Sequence, residues 1–128
     1  MFPAGDYTVT LDDETVVEAL SVGAGAKLEM TLPSDADATN AVMITAFGGV
    51  TANATAGLVL DAQAFDMNHP EESITLVECE LNSAAALSAL AENISFTDDD
   101  RHGAVAVADG VRLVYTAPNK SAFTITIR

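Results

Sequence analysis

The sequence predicts an all-β domain, mainly antiparallel, folded as a β-sandwich or barrel of about eight to nine strands with one short helix near residues 83–92. Three observations carry this expectation. Apolar and polar residues alternate through most segments, the two-residue period of a half-buried strand. Gly, Pro, Asn and Asp cluster between the alternating runs, where turns belong. Only "NSAAALSALAEN" has convincing helical spacing.

Taken in order, "YTVTL" places Tyr7, Val9 and Leu11 on one face and Thr8 and Thr10 on the other. "DDE" at 12–14 breaks the run, and "ETVVEAL" resumes it. "VGAGA" at 22–26 reads as a flexible turn before "KLEMTL", where Leu28, Met30 and Leu32 alternate with Glu29 and Thr31. "PSDADATN" at 33–40 is a further break. "AVMITAF" is apolar on both faces, which predicts a central strand covered on both sides, and Gly48–Gly49 ends it. "MNHPEE" at 67–72 precedes "SITLVECEL", in which Glu78 and Glu80 share a face opposite Val77, Cys79 and Leu81. In the helical segment Asn82 or Ser83 supplies the N-cap, alanines fill the turns, and Leu87 and Leu90 lie on one face.

"AVAVADGVRLVY" contains two alternating runs joined by Asp109-Gly110, a strong two-residue hairpin signal. That turn predicts Ala108 opposite Val111, Ala106 opposite Leu113 and Ala104 opposite Tyr115, small against large on one face. After "APNK" the run "AFTITIR" alternates Phe123, Ile125 and Ile127 with threonines, so the chain as given is expected to end within a strand. No linker divides the sequence, no repeat of fixed period is visible, and residues 1–128 read as a single domain.

Composition narrows the function classes. Apolar residues make up 49% of the chain but aromatics only 5%, with no Trp, so the core is built from Val, Leu, Ile and Ala. Such a thin core favours contacts with partners. Nineteen Asp and Glu face five Lys and Arg, for a formal net charge of −14. Phosphate backbones demand clustered basic side chains, so nucleic acid is excluded as a partner. "MFPAGDYTV" has neither a basic nor an apolar leader region, and no apolar run nears the roughly 18 residues of a membrane helix. A soluble chain without export signal or membrane contact is expected. Self-repulsion on this scale opposes compaction at low salt, whereas at about 1 M salt the screening length falls to roughly 3 Å. In its wealth of Asp, Ala, Val and Thr and poverty of Lys, the chain resembles proteins of salt-loving archaea.

The most chemically loaded stretch is "FTDDDRHGAVAVADG" at 96–110. Asp98, Asp100, Gly103 and Asp109 fall at positions one, three, six and twelve of a calcium loop, but His102 and Ala106 occupy ligand positions. The hairpin then carries Asp109 about 16 Å away at roughly 3.3 Å per residue. A solvated acidic loop is therefore expected, with calcium on Asp98, Asp99 and Asp100 as the alternative. His69 and His102 sit in polar loops beside acids; with Asp66, Asp98 or Asp100 they have the chemistry for zinc or for acid–base work, yet no ligand spacing links them. Both are expected at the surface. Cys79, the one cysteine, reads as a small buried hydrophobe. Glu78 and Glu80 have the same-face spacing of a carboxylate pair, which a solvent-facing strand also produces. "GAGAK" lacks the spacing of a phosphate loop, and no G-x-S-x-G is present. The sequons at Asn53, Asn93 and Asn119 matter only after export.

No catalytic residue and no cofactor are assigned, and the expectation is a non-enzymatic structural or assembly protein. In composition and strand pattern along its whole length, the chain resembles small β-rich structural proteins of tailed virus particles, of the capsid-decoration, head-completion or tail-tube kind. That resemblance implies a virion location, other virion proteins and copies of itself as partners, and a homo-oligomer. A calcium- or carbohydrate-binding β-sandwich module is the alternative, weakened for sugars by the lack of Trp platforms.

Overall fold

The computed structural model describes residues 4–5, 7–11, 14–97 and 103–118. Among these residues the chain forms β1 (Tyr7–Leu11), β2 (Thr15–Val17), β3 (Leu20–Val22), β4 (Ala26–Thr31), β5 (Val42–Ala46), β6 (Val50–Ala52), β7 (Gly57–Asp61), α1 (Gln63–Asn68), β8 (Ser73–Cys79), α2 (Ala84–Glu92), β9 (Ile94–Phe96), β10 (Ala104–Ala108) and β11 (Arg112–Thr116). A 3-10 turn at Ala38–Asn40 lies between β4 and β5. The expected strand at 122–128 lies outside the described residues.

Strand pairing defines a coil. β1 pairs in parallel with β4 and β4 with β7; β2 pairs with β5 and β5 with β8; β3 pairs with β6. Each strand thus meets the one three places further on, and successive turns stack into three sheets. The first has the order β1-β4-β7-β9, the second β2-β5-β8-β11-β10 and the third β3-β6. One turn takes the chain from Tyr7 to Ala26, the next from Lys27 to Gly57, and a third from Leu58 to Ile94, each longer than the last. In the third turn α2 replaces a strand of the third sheet and packs on β6 and β7. The β10–β11 hairpin then extends the second sheet with antiparallel pairings.

The structure is strand-rich as the sequence predicts, but the mainly antiparallel arrangement is corrected. Six of the eight pairings among the described residues are parallel, and three sheets wound as a coil replace the expected sandwich or barrel. The reason is physical: a strand with one covered and one wet face alternates in the same way whichever direction its neighbour runs. "ETVVEAL" is also two strands rather than one, because the chain turns a corner at Glu18–Ala19. The helix expected near 83–92 is α2, while α1 had no sequence signal beyond the apolar Phe65 within "AQAFDM".

The hairpin forms at Asp109-Gly110, with positive φ at both residues and Val111 N–H donating to the Ala108 carbonyl. Its register nevertheless differs from the expected one. Ala108 faces Arg112, Val107 faces Leu113, Ala106 faces Val114 and Val105 faces Tyr115, so Val111 stands in the connection. A one-residue slip exchanges the two faces of a strand. Here it brings the larger valines Val105 and Val107 against the core and leaves Ala104 and Ala106 exposed.

Inside the coil, like positions stack in rows. Leu28, Leu58 and Ile94 are register partners, as are Met30, Leu60 and Phe96 in the first sheet and Ile44, Val77 and Leu113 in the second. Leu28, Leu58, Met30 and Leu60 are wholly inaccessible to solvent. Leu87 and Leu90 close the third side from α2. The corners are pinned by polar groups. Asn93 Nδ2 faces the carbonyls of Ala54 at 2.6 Å, Ala56 at 3.0 Å and Ala89 at 3.1 Å, tying the third turn to the second. One turn below, Gly25 N–H donates to Thr55 Oγ1 at 3.1 Å. At the opposite corner Gly48 N–H donates to the Glu18 carbonyl, an approach so close that a Cβ on Gly48 meets that oxygen at 2.7 Å.

Two substitutions test this frame. Leu58→Ala removes the centre of a stacked row and is expected to cost about 2–5 kcal/mol in denaturant unfolding. Asn93→Ala strips a corner of its bridging donors and is expected to cost about 1–3 kcal/mol, with the midpoint shifted and the slope retained.

Candidate functional site

The corner between the first and second sheets differs from the other two. The second and third turns of the coil carry their longest connections there: Thr31 to Val42, with the 3-10 turn, and Asp61 to Ser73, with α1. These connections lie side by side because β4 and β7 pair, as do β5 and β8. Exposed acids collect at this corner: Glu14 just before β2, Asp35 and Asp37 on the second turn's connection, and Glu71 and Glu72 on the third's. Beside Glu14, the Thr31 to Val42 connection shapes a groove of about 760 Å³ whose lining includes Glu14, Leu32, Asp35, Asp37 and Met43. Glu14 is already engaged, since its Oε2 accepts the Val42 N–H at 3.1 Å.

Beneath this corner lies a buried aromatic and polar cluster. His69 follows α1 and is 8% exposed, which corrects the expected surface position. Its ring stacks on Phe65 with centroids 5.1 Å apart. Its Nε2 lies 2.7 Å from the Asp35 carbonyl oxygen; a carbonyl only accepts, so Nε2 carries the proton and donates. Thus the histidine ties the third turn of the coil to the connection of the second. Nδ1 makes no hydrogen bond among the described residues and lies 3.5 Å from Glu72 Oε2.

Tyr115 of β11 is fully buried beside Phe65 and Phe96. Its hydroxyl donates to Asp66 Oδ1 at 2.7 Å and accepts the Gly103 N–H at 2.9 Å. Burial is the main force raising the phenol above its ordinary range; the Gly103 N–H opposes it, and the Asp66 carboxylate reinforces it by hydrogen bond and by charge. The folded chain therefore keeps this proton where a free tyrosine loses it.

The sequence-singled residues do not converge. Asp66 is near His69 in sequence but bonds Tyr115, and His102 with Asp98, Asp99 and Asp100 lies outside the described residues. Asp109 sits at the hairpin tip, where Oδ2 is 3.3 Å from Arg112 Nη2. Cys79 is buried as expected, its thiol directed at the carbonyls of Leu81 and Val111, far in sequence from either histidine. Glu78 is half-buried in β8, whereas Glu80 falls beyond the strand and is exposed, so the two are not a pair on one strand. "GAGAK" is a corner turn with Gly25 at positive φ. Among the described residues no three His, Cys, Asp or Glu side chains gather as a metal set, and no helix is long and apolar enough to cross a membrane. The cluster of Phe65, His69 and Tyr115 had no sequence signal, because its members come from two elements that meet only once the coil is wound.

Comparison with protein-family models, with curated proteins and with solved structures returns no match.

The phenol supplies a pH test. Its pKa is raised on folding, so its contribution is whole below about pH 10 and is lost as pH climbs through the higher folded value. Tyr115→Phe removes both hydrogen bonds of the hydroxyl and is expected to cost about 1–3 kcal/mol at neutral pH. Unfolding measured from pH 8 upward is expected to show a smaller alkaline loss of stability in the variant than in the wild type.

Proposed function

We propose that the protein is a non-enzymatic structural and assembly protein, a component of a virus particle of the capsid-decoration, head-completion or tail kind, working in concentrated salt. The observation that carries this reading is where the partly buried polar side chains are used. Ser83 Oγ accepts the Val50 N–H at 2.9 Å, Asn93 bridges two turns, His69 donates to the Asp35 carbonyl, and Tyr115 joins β11 to α1. Each cross-links the frame rather than facing a cleft with a reactive group. A frame so braced suits a part that bears load in an assembly. The acids line the exposed corner, where salt screening removes most of their mutual repulsion. A calcium-binding module is the competing class.

Sedimentation and melting at about 2 M and about 0.1 M salt test the reading. Association at high salt, with loss of compactness at low salt, is the expected result. A monomer at every salt concentration overturns the assembly role, and a rise in melting temperature with millimolar calcium favours the binding module.

A further inference from the structure

Among the described residues four strands form the outer edges of the two larger sheets, and they are not equally protected. In the second sheet one edge is β2, only three residues long and flanked by Glu14 and Glu18. Short strands and nearby charges are the usual devices that stop an edge from pairing with another chain. The other edge is β10, five residues reading "AVAVA" without charge or proline, in a chain whose net charge is −14. It pairs with β11 on one side and with no described strand on the other. Ala104 and Ala106 are exposed on its outer face, while Val105 and Val107 pack inward. β10 therefore offers a second backbone a five-residue edge with no carboxylate on the strand itself.

We propose that β10 is the contact through which two copies of this chain pair, antiparallel and about a two-fold axis, joining their second sheets into one continuous sheet. This rests on the assembly role proposed above and names its interface. The occupant is a second copy because the strand matches itself: turned about Ala106, "AVAVA" sets alanine against alanine and valine against valine, and the two-fold symmetry of most homodimers makes such self-complementary patches the rule. Antiparallel pairing gives each inward valine a cross-strand valine, so the interior rows run on across the seam. β2 remains at both outer ends, too short and too acid-flanked to continue the sheet, so the pairing closes at two copies.

The test uses the full chain at the lowest salt concentration at which circular dichroism shows it folded, so that charges facing one another across the seam are not fully screened. Wild-type protein is expected at twice the chain mass of 13.2 kDa by sedimentation. Ala106→Lys and Ala106→Glu each place like charges opposite one another at the two-fold axis and are expected to halve that mass, with circular dichroism unchanged. Mixing the two variants pairs Lys with Glu and is expected to restore the dimer. Association that neither variant weakens overturns the β10 contact while leaving the assembly role intact; a wild-type monomer at every salt concentration overturns both. Loss of dimer in both variants without recovery on mixing overturns the antiparallel two-fold geometry.

Discussion

Parallel hydrogen bonding between successive turns of the coil is the constraint on which the rest of the molecule depends. No turn buries its own apolar side chains; Leu58 is covered because Leu28 lies on one side of it and Ile94 on the other. Stacked-repeat proteins behave in this way, with stability summed from neighbour interfaces and with ends that need caps. At one end of this coil, α2 and the β10–β11 hairpin do that work over the third and second sheets. Corner groups such as Asn93, Thr55 and Gly48 matter because a coil slips as a unit, and a corner hydrogen bond fixes how far along its axis one turn sits from the next.

Much of the local structure was legible in the sequence. Alternation located β1, β4 and β8, an unbroken apolar run located β5, and turn residues located the corners at 23–25 and 48–49. Alanine content with Leu87 and Leu90 located α2, where Asn82 Oδ1 accepts the Ala84 N–H while Ser83 serves the neighbouring turn instead of capping by its side chain. Strand direction was not legible, because alternation reports which face is wet and not which neighbour is bonded. The repeat was hidden for a related reason. It exists in space as three strands per turn, but connections of unequal length destroy any fixed period along the chain.

Within the candidate site the legible part was smaller. Acidic loops were visible as runs of Asp and Glu, yet the burial of His69 came from its stacking on Phe65 and its bond to the Asp35 backbone, neither of which any spacing rule encodes. The hairpin teaches the complementary lesson. Asp109 and Gly110 specified the turn, but the core preferred Val105 and Val107 to alanines as partners of Tyr115 and Leu113, and volume decided the register.

The unequal connections have one more consequence. From Val17 to Leu20 and from Ala46 to Val50 the chain rounds its second corner in nearly constant length, held by the bonds of Gly48 and Leu20. From Leu11 to Thr15, then Thr31 to Val42, then Asp61 to Ser73, the first corner lengthens without disturbing the strands on either side. The coil keeps a constant gauge on two of its edges and lets out slack along the third. That third edge is a seam running the length of the axis where peptide can be added, removed or exchanged at little cost to the frame, because loop closure grows only slowly with length. A lineage in need of a new surface, or an engineer wishing to graft one, has a single place to cut.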